Sequence, residues 1–309
     1  IQFSKDINCT HEPRDYQIDA FVHAIRNKRC LLLSPTASGK SLIIYLISRY
    51  INVKKLLIIV PTISLVSQLY TDFSDYGFDS ESNIHRVFGG EDKETDKPIT
   101  ISTWQSLYTL PKKFFEQFEA VIGDEAHLFK AQSLTSIMTN LVNAKYRIGT
   151  TGTLDGTKTH KLVLEGLFGP VHKVITTKEL MDQKHVADFS IKCLVLKHND
   201  VMCQAAKDFT YQQEIEYLIL NETRNKFIRN LALSLEGNTL ILYQYVDKHG
   251  KILYDLLKNK DRKVFFIYGK TDVEIREETR KVVENEKRSI IIASYGVFST
   301  GVNIRNLHN

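Results

Sequence analysis

The chain has 309 residues, 43% hydrophobic and 25% charged, a balance that excludes a disordered or low-complexity polymer and leaves room for two domains, each with its own core. A formal charge of +5, from 41 basic and 36 acidic side chains, allows a polyanionic partner without requiring one. The four cysteines, Cys9, Cys30, Cys193 and Cys203, form no CxxC pair and no finger spacing, which excludes a zinc module or disulfide framework and predicts reduced, buried thiols.

Taken in chain order, short runs rich in Val, Ile and Leu at 30–33, 56–60, 99–102 and 120–123 alternate with longer amphipathic segments. That alternation predicts buried parallel strands joined by helices, an α/β doubly wound sheet. A polar helix around 178–184 follows the turn Phe168-Gly-Pro170, so the boundary is placed at Asp182. A second series of strands at 239–243, 263–268 and 289–293 then predicts a second α/β unit, giving domains 1–182 and 183–309. No apolar run reaches membrane length and the first residues lack the order of a secretion signal, so a cytoplasmic location is expected.

The first strand runs into Ser34-Pro35-Thr36-Ala37-Ser38-Gly39-Lys40-Ser41 and then an apolar-periodic segment. Strand, loop and helix in that order present backbone N–H groups to phosphate oxygens. Gly39 lets the backbone approach the phosphates, Lys40 supplies a point charge for the β and γ phosphates, and the Ser41 hydroxyl would ligate Mg2+. Ser34 stands where such loops carry glycine. A chance Gly-Lys-Ser at a helix start is the competing reading, and the preceding strand argues against it.

The strand at 120–123 ends on Asp124-Glu125-Ala126-His127. A magnesium-nucleotide site needs one carboxylate in the metal shell and a second to deprotonate the attacking water. Asp124 is assigned the first role and Glu125 the second, with Lys40 completing the catalytic set. His127 either couples the site to the second domain or packs.

The phosphate loop and the GDEAH string together resemble the superfamily 2 helicases, and further motifs of that family follow in order. Arg14 and Gln17, in the segment RDYQ, look like its adenine-reading motif, with the Gln17 amide suited to an adenine edge. Pro61 and Thr62, Gly89 and Gly90, and Thr103, Trp104 and Gln105 resemble its motifs Ia, Ib and Ic, whose loops touch the nucleic-acid backbone. Thr151 and Thr153 stand where motif III links nucleotide state to domain closure. In the second unit, residues 241–250 resemble motif IV, 267–269 motif IVa, and 294–303 motif V with Thr300, Gly301 and Asn303. The spelling is most similar to the RecG-like branch-migration helicases, including those of phages. The resemblance implies two RecA-like domains, ATP and Mg2+ as cofactors, and a monomer acting on branched or forked DNA, with RNA left open.

Thr62, Gly90, Thr103 and Thr300 are the candidates for phosphate contact, and each has an N-cap or turn residue as its alternative. Trp104 is read as packing beneath its loop rather than stacking on a base. The pairs Lys54-Lys55, Lys112-Lys113 and Arg262-Lys263 read as solvated faces. The family's motif VI, a QxxGRxxR pattern that brings arginines to the γ-phosphate, has no match, so the second domain is expected to be partial and the natural polypeptide to continue. A chain ending at Asn309 is then expected to bind ATP without nucleic-acid-stimulated hydrolysis.

Overall fold

The computed structural model describes residues 2–88, 95–128, 131–154, 158–186, 190–259, 261–298, 304 and 306–309. The chain divides into two compact units, Ile1–Ser190 and Ile191–Asn309. The polar segment expected at the boundary is helix Thr177–Asp182, which belongs to the first unit: Thr176 and Glu179 close a capping box at its start and Leu180 is fully buried.

Unit 1 is built on seven strands: β1 Arg29–Leu33, β2 Leu56–Val60, β3 Ile84–Val87, β4 Ile99–Thr103, β5 Ala120–Gly123, β6 Tyr146–Thr151 and β7 Val171–Lys173. They pair in parallel in the order β3-β4-β2-β5-β6-β1-β7. Successive side chains of a strand point to opposite faces, so the apolar runs feed two cores. Cys30, Leu32, Ile58 and Ile122 face helices Asp15–Asn27, Lys40–Ile51 and Ile63–Asp75. Leu31, Leu57, Ile59 and Val121 face helices Ala131–Asn140 and Lys158–Phe168. Helices on both sides of a parallel sheet are the expected fold class. The sequence runs predict β1, β2, β4 and β5; β3, β6 and β7 are the additional strands.

Unit 2 has β8 Thr239–Tyr243, β9 Val264–Ile267 and β10 Ile290–Ser294, parallel in the order β8-β10-β9. Ile290 and Ile292 pack with Leu253 and Leu257 on one face, while Ile291 and Ala293 pack with Val283 on the other.

Three arginines lie at or just before the starts of strands and donate to backbone carbonyls at the carboxyl ends of helices and in the loops that follow them. Arg29 reaches Gly166 and Leu167 O at 3.1 and 3.3 Å. Arg147 reaches Met138, Leu141 and Ala144 O at 3.0, 2.7 and 3.3 Å. Arg262, expected on a solvated face, is instead buried, donating to Ala232, Leu235, Arg288 and Ser289 O. A guanidinium has five donors in a fixed fork, which suits a burial site where several carbonyls converge. The cysteines also depart from expectation. Cys30 is buried and Cys9 partly so, but Cys193 and Cys203 are exposed; all four are free. Among the described residues no helix is long and apolar enough to cross a membrane.

Candidate active site

In the sheet order β5-β6-β1, β6 separates the strand that leads into the phosphate loop from the strand that leads into the acidic turn. In parallel strands the carboxyl ends share one edge, so both loops and the end of β6 meet there. Ser34 N–H donates to Thr151 O at 2.8 Å, which fixes the root of the loop to β6.

The loop is wired from within. Ser38 Oγ donates to Pro35 O at 2.7 Å, and the Ser34 hydroxyl, 2.6 Å from Ser38 Oγ, then donates to it. Ser34 is buried, so the serine that replaces the usual glycine serves as a brace. Ala37 and Gly39 adopt left-handed backbone, φ +65° and +76°. Gly39 is required twice over: its φ disfavours a side chain, and a Cβ there would lie 2.4 Å from Gln17 Nε2. Thr36 and Ala37 are exposed at the mouth of the loop.

Helix Asp15–Asn27 holds the loop from outside. Gln17 Nε2 donates to Ser38 O at 3.0 Å and to Gly39 O at 3.3 Å, while Gln17 Oε1 accepts from Arg14 N–H at 2.9 Å. The amide expected to read an adenine edge is thus engaged at both ends within the chain. Tyr16 Oη donates to the same Ser38 O at 2.9 Å and accepts from Arg14 Nη1 at 2.8 Å.

Lys40 opens the helix after the loop. Its Nζ lies 2.9 Å from Glu125 Oε1 and 3.4 Å from Ser34 O. The Ser41 hydroxyl lies 2.8 Å from the phenol oxygen of Tyr76. Burial pushes the Tyr76 phenol up to about 12, with the hydrogen bond to Ser41 acting in the opposite sense.

Asp124 is buried; its Oδ1 accepts from Thr150 Oγ1 at 2.5 Å and from Glu125 N–H at 2.9 Å. Burial raises its pKa, the neighbouring Glu125 adds to the rise, and Lys40 and the two hydrogen bonds oppose it. Glu125 sits at φ +49°, a costly conformation for a side-chain-bearing residue that aims its carboxylate back at Lys40. His127 Nδ1 lies 3.4 Å from Glu125 Oε2 and 2.6 Å from Thr151 Oγ1. The Thr151 hydroxyl donates to Thr153 O at 2.7 Å, so the proton between His127 and Thr151 belongs to the imidazole. His127, Thr151 and Thr153 therefore form one chain of hydrogen bonds, and it sets the imidazole beside the carboxylate expected to act as base.

Farther along the same edge, β2 and β4 are neighbours, with Val60 and Thr103 in register. Their following loops bring Pro61, Thr62, Thr103, Trp104 and Gln105 side by side, and Gln105 Nε2 donates to Pro61 O at 3.2 Å. The Thr62 hydroxyl caps helix Ile63–Asp75 by accepting from Leu65 N–H, and the Thr103 hydroxyl pairs with Ser106 Oγ at 3.0 Å. Trp104 is half-buried and packs against the core under β2. Gly89, Gly90, Thr300, Gly301 and Asn303 lie outside the described residues.

Three site residues carried no sequence signal of their own: Tyr16, Tyr76 and Thr150. Tyr16 adjoins Gln17, which could have drawn attention to it; Tyr76 is far from every motif it serves.

The family described as "Type III restriction enzyme, res subunit" matches residues 10–156. The ATP-dependent DNA helicase uvsW of Enterobacteria phage T4 is 38% identical over 308 residues, which are 96% of this chain and 61% of that protein. The crystal structure of T4 UvsW covers 96% of this chain and 60% of its own, at 36% identity and a TM-score of 0.50. Dbp5 of S. cerevisiae, bound to RNA and ADP BeF3, shares the fold at 14% identity and a TM-score of 0.69, over 96% of this chain and 74% of its own. The chain thus spans about three fifths of the phage relative's length. With the phosphate loop, the Asp-Glu-Ala-His turn and the strand between them in place, the chain resembles the superfamily 2 helicases over nearly its whole length.

Proposed function

We propose that this chain is the motor core of an ATP-dependent DNA helicase that unwinds and branch-migrates forked or four-way DNA, acting as a monomer inside the cell. The observation that supports it most is the convergence of Lys40, Asp124 and Glu125 across β6, beside the adjoining loops after β2 and β4. The phage relative, named as an ATP-dependent DNA helicase, supports DNA as the substrate.

The donor set fits Mg2+ with ATP. Ser41 and Asp124 offer hard oxygen ligands, and among the described residues every hydrogen bond to Asp124 falls on Oδ1, which leaves Oδ2 for a cation. Bound Mg2+ would supply charge neutralisation of the phosphates. Lys40 leaves Glu125 to pair with phosphate, and Glu125, released from the lysine, orients water and takes its proton. His127 and Thr151 hold the carboxylate in place during that change. The loop amides of residues 36–41 and the helix after them receive the phosphates, while the loops at Pro61–Thr62 and Thr103–Gln105 hold a strand by its backbone, which suits movement independent of sequence. Glu125 disfavours a clamp without turnover, since a clamp needs no base.

Affinities for single strands, duplex, fork and four-way junction, each as DNA and as RNA, measured at fixed salt with and without ATP analogue, test this reading. Branched DNA is expected to bind best and its affinity to depend on nucleotide, with Lys40→Ala removing that dependence. Preference for RNA, or affinity indifferent to nucleotide, would overturn it.

A further inference from the structure

Ser41 is the one loop side chain whose hydroxyl leaves the phosphate loop altogether: its only hydrogen-bond partner among the described residues is the phenol of Tyr76, 2.8 Å away. We propose that Tyr76 is a positioning residue for Ser41, accepting the serine proton so that the serine lone pair is turned toward the cation of a bound nucleotide. The inference rests on the nucleotide-site reading above.

A serine hydroxyl has one proton and two lone pairs. When a divalent cation takes a lone pair, the O–H becomes a stronger donor and an undirected proton weakens the ligand. The acidic residue nearest in function does not fill the acceptor role. Asp124 Oδ1 is taken by Thr150 and the Glu125 N–H. Tyr76 is held for the role from several sides. Its N–H caps helix Ile63–Asp75 by donating to Asp72 O, and its carbonyl accepts from Thr10 N–H at 3.3 Å. Its ring meets His11 edge-on at 5.0 Å and Tyr45 at 5.3 Å. The ring is half-buried, so its own O–H can turn to water once its oxygen accepts from Ser41.

Tyr76→Phe removes the acceptor and keeps the ring. The readout is the metal enhancement: the ratio of affinities for a fluorescent ATP analogue in Mg2+ and in excess EDTA. The enhancement is expected to fall about three- to tenfold in Tyr76→Phe, the effect of one hydrogen bond, with affinity in EDTA unchanged. In a Ser41→Ala background the same substitution should change nothing, because the proton it accepts is gone. A thermal melt of each variant confirms folding. Equal losses in Mg2+ and EDTA would mean that Tyr76 only supports the loop, and an unchanged enhancement, or a full effect without Ser41, would equally overturn the proposal. If the unaltered protein shows no metal enhancement at all, the nucleotide-site reading itself falls.

Discussion

The ion pair between Lys40 and Glu125 joins the two side chains to which the proposed reaction gives opposite duties, phosphate binding and water activation. While they hold each other, neither duty is performed, and phosphate oxygens must compete with a carboxylate for the ammonium. The two ends of the pair should therefore fail differently. Lys40→Ala is expected to weaken ATP binding. Glu125→Gln is expected to preserve or tighten it, because the lysine no longer has an anionic partner, while the single-turnover hydrolysis rate falls by ~10² to 10⁴. Equilibrium binding and quenched-flow hydrolysis of both variants check this; normal hydrolysis by Glu125→Gln refutes the assignment of the base.

Helix Asp15–Asn27 acts on the phosphate loop as a splint, through Tyr16 and Gln17 on Ser38 O and Gly39 O. Gln17→Ala would take one donor from Ser38 O and one from Gly39 O, leaving Tyr16 on the first and the helix N–H groups of Leu42 and Ile43 on the second, and open space beside Gly39. ATP and GTP should then lose affinity in similar proportion, by about 0.5 to 1.5 kcal/mol. A selective loss of ATP, seen in parallel titrations of the two nucleotides, would instead return Gln17 to the adenine-reading role that its motif suggested. The elements most legible in the sequence are those whose logic is contiguous. Residues 34–41 follow an apolar strand and open a helix, and residues 124–127 end another strand, so position and chemistry could be read together. Edge strands β3 and β7 were hidden because they are only four and three residues long, and His85, Arg86, His172 and Lys173 break their patterns. Strand β6 was hidden by its own composition, Tyr-Arg-Ile-Gly-Thr-Thr, in which the threonines serve the site rather than the core. The links from Tyr76 to Ser41 and from Thr150 to Asp124 join residues far apart in the chain, and only the folded sheet reveals them.

At the scale of the molecule, unit 2 carries its own response to acid. His249, buried in unit 2, has a pKa lowered to about 4 by burial and by the charge of Arg224, whose Nη1 lies 3.4 Å from its Nε2. The unfolded chain takes up that proton near pH 6.5 and the folded one only near 4, so unit 2 is fully supported above pH 6.5 and loses stability as pH falls between these values, by at most about 3 kcal/mol. Hydrogen exchange at pH 7 and 4.5, corrected for intrinsic rates, should show loosening at β8 and β10 that His249→Gln largely removes; equal loosening in both proteins would assign the acid response to other groups. The arginines at the strand starts have a mechanical consequence. All strands of the first sheet run one way, so its amino ends, with Arg29 and Arg147 fastened to backbone carbonyls, face away from the carboxyl ends where Lys40, Asp124 and Thr151 stand. One end of that sheet is a footing and the other a working edge. Were the loop after β1 to shift on taking up a nucleotide, it would do so against a base whose joints are backbone carbonyls, which no change of bound ligand needs to break.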